Sequence, residues 1–325
     1  MSIRLFIQID KFREGGTGVF RNRLIKALHK IDGIKLVHNP EDNFDIELAF
    51  IRKVYKHKKP YILRVDGCYY VNQYKTYNNK PIEKAIRKAE HVVFQSKFAY
   101  KLCKRVLRLR TDCPNGKNLK YSIIYNGIDI DYVKKIKPNN NIEPGSFATC
   151  ARWDPNKRPI STIKGFLKAN TGKHLYIIGG SGVQGKNIQI DKISNSKYIH
   201  LLGEKSPDET LSILKACDHL IHLCHIDACP NIVVEALVSG LNVLCANLGG
   251  TRELVGKNGI ILDVDKFWKT RYMSRKNVDN LSKDVVAKGV RDLMEFDKVK
   301  VREDLDINIT AQKYVSIIRE IIGKR

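Results

Sequence analysis

The chain has 325 residues, of which 43% are hydrophobic and 28% charged, and 58 Lys and Arg against 34 Asp and Glu give a formal net charge of +24. This is the composition of a globular protein, too long for one small core and suited to two α/β domains. No stretch approaches the ~20 uninterrupted apolar residues of a bilayer span, and eight cysteines without a CxxC pair give no disulfide framework, so a reducing cytosol is the simplest setting.

The segment Ser2 to Asp10 sets Arg4 and Asp10 around a short apolar run. It reads as a first buried strand at 3–9 rather than a signal peptide. A Gly-rich loop at 15–18 leads into a helix at 18–30, followed by strands near 34–38, 45–50 and 61–65. A helix near 81–89 leads to a strand at Val92–Phe94, a helix at 97–109 and a strand at 121–124. The Asn-rich run from Pro138 to Gly145 reads as an interdomain linker. The second half restarts with a strand at 146–151 and a helix at 158–168. Strands at 174–178 and 198–202, a helix at 207–216, a strand at 218–223, a helix at 231–239 and a strand at 242–246 follow. A strand at Gly259–Leu262 and helices near 279–295 and 308–322 close the chain. Strands that alternate with helices predict βαβ units and parallel sheets, with ligands at the carboxyl ends of the strands.

The charge is uneven, since residues 1–140 hold 30 Lys and Arg against 13 Asp and Glu. Such a basic half suits anionic partners: phospholipid, a phosphorylated glycan or nucleic acid. Compositional drift in a chain rich in Lys, Asn and Ile accounts for it equally well.

The densest chemistry lies in Asp227-Ala228-Cys229-Pro230-Asn231-Ile232-Val233-Val234-Glu235, followed by Gly249-Gly250-Thr251-Arg252-Glu253. Two acids eight residues apart bracket a loop and the first turn of a helix that Pro230 and Asn231 can open. The helix is apolar enough to be buried, and an unpaired buried carboxylate is costly, so Glu235 points to a ligand with hydroxyl groups. Amides at the helix N-terminus favour a phosphate beside it. Arg152 and Lys157, five apart just after a strand, can grip a diphosphate from two sides. Taken alone, that segment is an ordinary basic loop. Gly15 and Gly16 follow the first strand and let backbone amides approach a phosphate, although a glycine pair alone is usually a tight turn.

In this order and at these spacings the elements resemble nucleotide-sugar glycosyltransferases of the GT-B fold, glycosyltransferase family 4. The resemblance covers most of the chain and is strongest from 146 to 255. The family carries Glu where this chain has Asp227, and Gly where it has Ala151. The resemblance implies two Rossmann-like α/β domains with parallel sheets facing a central cleft. An acceptor-side domain would cover 1–140, a nucleotide-sugar-binding domain 146–305, and a C-terminal helix over 306–325 would cross back to the first domain. It implies a hexosyltransferase that moves a sugar from a UDP- or GDP-sugar to an acceptor hydroxyl with retention of configuration. Arg152 and Lys157 would then stabilise the departing diphosphate. Asp227, one methylene shorter than the usual Glu, would hold the donor sugar, and Glu235 the ribose. Gly15, Gly16, Gly249, Gly250 and Thr251 would line the diphosphate, while Gly180, Gly203 and Glu204 would face the nucleotide. Asn126, in an Asn-Gly-Ile-Asp element, and Gln95-Ser96 would shape the acceptor side. Asp66 ends the strand at 61–65, near where many relatives carry His. It can orient the acceptor hydroxyl, take its proton, or merely pair with Arg64.

The resemblance implies no cofactor beyond the nucleotide sugar, since Arg152 and Lys157 supply the charge a Mg²⁺ ion would. His222, Cys224, His225, Asp227 and Cys229 cluster within eight residues but fit no established zinc spacing, so no metal is expected. Gly180 to Gly185 matches GxGxxG yet lacks the long helix and later acid of a dinucleotide site. Lys97, Lys101, Lys104, Arg105 and Arg108, with a second cluster at Arg52, Lys53, Lys56, Lys58 and Lys59, offer basic N-domain helices for peripheral contact with an anionic membrane. The plainer reading is a helix packed on its sheet. The expected partners are a nucleotide sugar and a glycan, lipid or protein acceptor, and the expected location is cytoplasmic or peripheral to the membrane. Two rivals stay open. One is a weak or inactive GT-B scaffold, suggested by Asp227 and the missing His. The other is a basic nucleic-acid-binding protein, against which stands the lack of an aromatic-rich basic strand or recognition helix.

Overall fold

The computed structural model describes residues 2–8, 15–71, 79–109, 119–180, 195–267, 280–297 and 300–324. The chain divides into two compact units. Met1–Asp129 joins Asp304–Arg325 in the first, and Ile130–Phe267 joins Lys276–Glu303 in the second.

The first unit is built on six parallel strands: β1 (Ile3–Ile7), β2 (Ile34–Val37), β3 (Ile46–Phe50), β4 (Tyr61–Val65), β5 (His91–Phe94) and β6 (Tyr121–Ile123). Their order is β2-β1-β3-β4-β5-β6, so the winding reverses beside β1. Parallel strands covered on both faces read as unbroken apolar runs rather than alternations. That is why Leu5, Phe6 and Ile7, or Ile62, Leu63 and Val65, are all fully buried. Helices α1 (Gly16–Leu28), α2 (Asn79–Lys88) and α3 (Lys97–Val106) link the strands. Ser96 caps α3 by accepting from the Ala99 amide at 3.0 Å. The connection from β3 to β4 has no helix. The second basic cluster, Arg52 to Lys59, therefore lies on an irregular loop, not on the helix expected for it, because that segment lacks an apolar face of helical period.

The second unit opens with the short helix α4 (Ile130–Lys135) and repeats the plan with β7 (Phe147–Cys150), β8 (Leu175–Ile178), β9 (Ile199–Gly203), β10 (His219–His222), β11 (Asn242–Ala246) and β12 (Gly259–Leu262). The order is β12-β11-β10-β7-β8-β9, again parallel throughout. Taken from the first strand of this unit, that is the Rossmann order, and β7 and β10 flank its switch point. Helices α5 (Pro159–Ala169), α6 (Pro207–Ala216), α7 (Asn231–Val238), α8 (Thr251–Val255) and α9 (Lys283–Met294) complete the unit. A capping box of Ser206 and Glu209 starts α6. Helices α5 and α9 meet at Gly165, where a Cβ atom would overlap the Val286 side chain.

The last helix, α10 (Ile307–Gly323), starts at Asp306, whose side chain accepts from the Asn308 amide at 2.8 Å. Its Ala311, Tyr314, Val315 and Ile318 are fully buried in one cluster with Leu5, Leu24 and Leu28 of the first unit. No described helix is long and apolar enough to cross a membrane.

Candidate functional site

In the second unit the loops after β7 and β10 leave the sheet at its switch point, where a doubly wound sheet offers space for a ligand. Asp154 caps the single helical turn Pro155–Lys157, accepting from the Asn156 amide at 2.8 Å. Asn156 then joins the two loops. Its side chain donates to the Ile226 carbonyl at 3.0 Å and accepts from the Ile226 amide at 3.2 Å, while its own carbonyl accepts from the His225 amide at 2.8 Å. This places the Lys157 ammonium 2.7 Å from the Asp227 carboxylate. About a fifth of each side chain is exposed, 22% and 23%, so the pair is reachable from solvent. Burial opposes both charges, but each partner outweighs it. The Lys157 pKa is held above its ordinary value and the Asp227 pKa below its own.

A buried network stands behind the pair. Arg158, in the left-handed conformation at φ 52°, forks onto Asp265 with Nη1 at 2.8 Å and Nη2 at 2.6 Å. His225 Nδ1 lies 2.8 Å from the same carboxylate. Burial pushes Asp265 up, yet the Arg158 and His225 bonds hold it down at about 2. Asn247 Oδ1 accepts from the Val264 and Asp265 amides. Arg158 is adjacent to Lys157 and His225 is two residues from Asp227, so this network fixes both ends of the functional pair.

The other residues singled out in this half gather on the same edge. Arg152 is exposed and has no hydrogen bond or ion pair among the described residues. Glu235 is half-buried on α7. That helix begins at Asn231 with Pro230 in the capping position. Glu235 thus stands in the second turn, not the first, because Pro230 fits the extended capping geometry and leaves Asn231 to start the helix. Cys150, pushed up to about 12 chiefly by burial, also feels the charges of Glu235 and Lys157, which places both beside the end of β7. Gly249 is at φ 99°, and a Cβ there would come 2.7 Å from the Asp227 carbonyl oxygen, so only glycine permits this approach. The Gly250 amide donates to that same carbonyl at 2.8 Å. Thr251 follows, its hydroxyl buried without a partner among the described residues. A Cβ on Gly180 would meet the Glu204 carboxylate at 2.6 Å, while Gly203 and Glu204 are exposed. The rest of the GxGxxG stretch, from 181, lies outside the described residues.

In the first unit, Gly15 precedes α1 and Gly16 begins it. The fully buried Arg64 pairs with Asp66. Its Nη2 donates to Gln95 at 3.0 Å and Asn126 at 2.5 Å, and its guanidinium lies 4.0 Å from the Phe20 ring centre. The Thr17 hydroxyl donates to the other Asp66 oxygen. One network therefore links the ends of β4, β5 and β6 to the glycine loop. Gly127 lets the chain pass Leu305, since a Cβ would come 2.8 Å from that carbonyl oxygen.

His222, Cys224 and Asp227 also converge, with one ligand atom from each within 4.8 Å of the others. Burial holds His222 neutral, its pKa lowered to about 4. Sequence reasoning passed over Asn156, Arg158 and Asp265, and it set the His222 cluster aside on spacing alone. For Asp265 the available signal was an acid just past the carboxyl end of β12.

Comparison with solved structures places this architecture. The glycosyltransferase from Rickettsia africae matches over all of both chains, with a TM-score of 0.64 at 14% identity. Anabaena HepE in complex with UDP matches 98% of this chain and 100% of its own, at 0.62 and 15%. Sucrose-phosphate synthase from Thermosynechococcus elongatus matches 99% of this chain and 100% of its own, at 0.66 and 10%. The two parallel sheets with flanking helices are those of GT-B glycosyltransferases. Residues 134–301 match the family Glycosyl transferases group 1, and the chain belongs to that family. It is a glycosyltransferase. Among curated proteins none matches the chain.

Proposed function

We propose that the protein transfers a sugar from a nucleotide-diphosphate donor to an acceptor hydroxyl, with retention of configuration and without a metal ion. The observation that carries this reading is the Lys157–Asp227 pair at the switch point, with unpaired Arg152 on the same loop. Arg152 is free to meet a diphosphate, and Lys157 can turn from Asp227 to the departing phosphate. Charge development on the leaving group is where such fixed cations contribute most. Asp227, released from Lys157, takes hydroxyls of the donor sugar, and Glu235 takes the ribose. Gly249, Gly250 and the orphaned Thr251 hydroxyl line the diphosphate, and in the first unit the Gly15 and Gly16 amides suit a phosphate. Gly180, Gly203 and Glu204 lie toward the nucleotide. UDP is the favoured carrier, in line with the UDP and UDP-glucose bound by HepE, and GDP is the second choice.

On the acceptor side, Asp66 orients the incoming hydroxyl and Asn126 holds Arg64 in place. With both Asp66 oxygens engaged by Arg64 and Thr17, orienting suits it better than proton abstraction. The acceptor is a glycan, lipid or protein. The exposed Lys97, Lys101 and Lys104 on α3 suit peripheral contact with an anionic membrane.

The test is a thermal-shift screen against UDP, GDP and their common sugar conjugates, followed by turnover with the one that binds. Ligand binding raises the melting temperature by linkage. One sugar nucleotide should shift it selectively, and Lys157→Ala should lower turnover ~10²–10³-fold, the cost of one lost charge-stabilising donor. Unchanged turnover in Lys157→Ala would sink the site assignment. No shift with any nucleotide, alongside salt-sensitive nucleic-acid binding, would sink the transferase reading.

A further inference from the structure

Beside the Lys157–Asp227 pair lie two side chains that sugar transfer leaves unused. His222 ends β10 and is 5% exposed. Its Nε2 is buried with no hydrogen-bond partner among the described residues, and an orphaned buried nitrogen calls for an explanation. Cys224 is also buried. Its sulfur accepts from Asn156 Nδ2 at 3.1 Å and donates to the Ile226 carbonyl at 3.3 Å. With Asp227, the three ligand atoms lie within 4.8 Å of one another. An imidazole nitrogen, a thiolate and a carboxylate form a donor set that suits Zn²⁺, with a fourth position left for water.

We propose that His222, Cys224 and Asp227 bind Zn²⁺, and that the ion switches the enzyme off by displacing Lys157 from Asp227. Both cations need the same carboxylate, so they compete. On binding, Cys224 releases its thiol proton to solvent and ligates as thiolate, His222 ligates through the free Nε2 lone pair, and the Lys157 ammonium leaves unchanged. The two anionic ligands balance the ion's two positive charges. A zinc-held Asp227 can no longer take sugar hydroxyls. The binding step stands on geometry alone, whereas the inhibition rests on the transferase reading above.

Cobalt(II) is the probe, because a cobalt–thiolate bond gives an intense charge-transfer absorption. Titrated into the chelator-treated full-length protein, Co²⁺ should produce that band at one equivalent, and Zn²⁺ should abolish it. Cys224→Ser should lose the band. His222→Gln should weaken Zn²⁺ binding by at least the ~10–100-fold that even an outer contact costs. Lys157→Met should tighten Zn²⁺ binding about 10-fold, since a charge-assisted bond no longer has to be broken. Metal-free melting curves of the three variants check that each is folded. In turnover assays, Zn²⁺ should inhibit the wild type reversibly with chelator and leave Cys224→Ser active. Absence of the thiolate band, its survival in Cys224→Ser, or unchanged affinity in Lys157→Met would overturn the site. A full set of binding results without turnover in metal-free protein would leave the site standing and overturn the transferase reading.

Discussion

Glu47 shows how far burial moves a single carboxyl. It is fully buried on β3, with His57 Nε2 2.5 Å from its Oε2. Burial pushes its pKa up to about 7 from 4.5, and Lys53 only partly opposes this. The folded protein thus holds a proton that the unfolded chain has lost. The resulting contribution to stability is complete below 4.5 and disappears as pH rises through about 7. His57, whose pKa burial lowers, adds an opposite slope on the acid side. The wild type should therefore lose more stability than Glu47→Gln between roughly pH 5 and pH 8, read from urea midpoints. Equal losses would show that Glu47 stays ionised. The Lys157–Asp227 side chains were legible in the sequence because each stands in a local pattern of charge and turn residues. Arg158 and Asp265 were not. The Arg158–Asp265 bond spans 107 residues, and no local pattern carries such a pairing. Asp66 falls between the two. Its Arg64 partner was visible two residues away, but the Thr17 contact, 49 residues distant, was not.

At the level of elements, the strands were the most legible part, because buried parallel strands are short apolar runs bounded by turn residues. Helix α6 falls on the expected bounds, Pro207–Ala216, since Ser206 and Glu209 announce its start. The short helices α4 and α8, of six and five residues, were not anticipated, because neither completes two turns of apolar repeat. The contact of α5 with α9 was equally hidden, as a glycine inside a helix reads only as a weak point. Here Gly165 is what lets Val286 seat against α5. Gly165→Ala should destabilise the protein by ~1–3 kcal/mol, as overpacking does, despite the better helix propensity of Ala. A melting temperature at or above that of the wild type would show that Val286 gives way freely.

At the scale of the whole molecule, both six-stranded sheets were legible in outline from the alternation of strands and helices. Their strand orders were not, because winding direction is set by long-range packing. The path of the chain also mattered beyond any local signal: residues 307–323 complete the core begun by β1 and α1. A chain ended after Glu303 should keep a folded second unit and lose protection in the first, as hydrogen exchange of β1 and β3 would show. Native protection there would mean that α10 is dispensable. The closing helix also sets an order of events on the ribosome. Synthesis runs from the N-terminus, so β1 to β6 emerge first but wait for α10 until the second unit has been made. The second unit, whose segments lie between residues 130 and 303, has all its strands available earlier. The half made first is the half completed last, and nascent chains stalled before α10 expose the apolar side of α1 to chaperones.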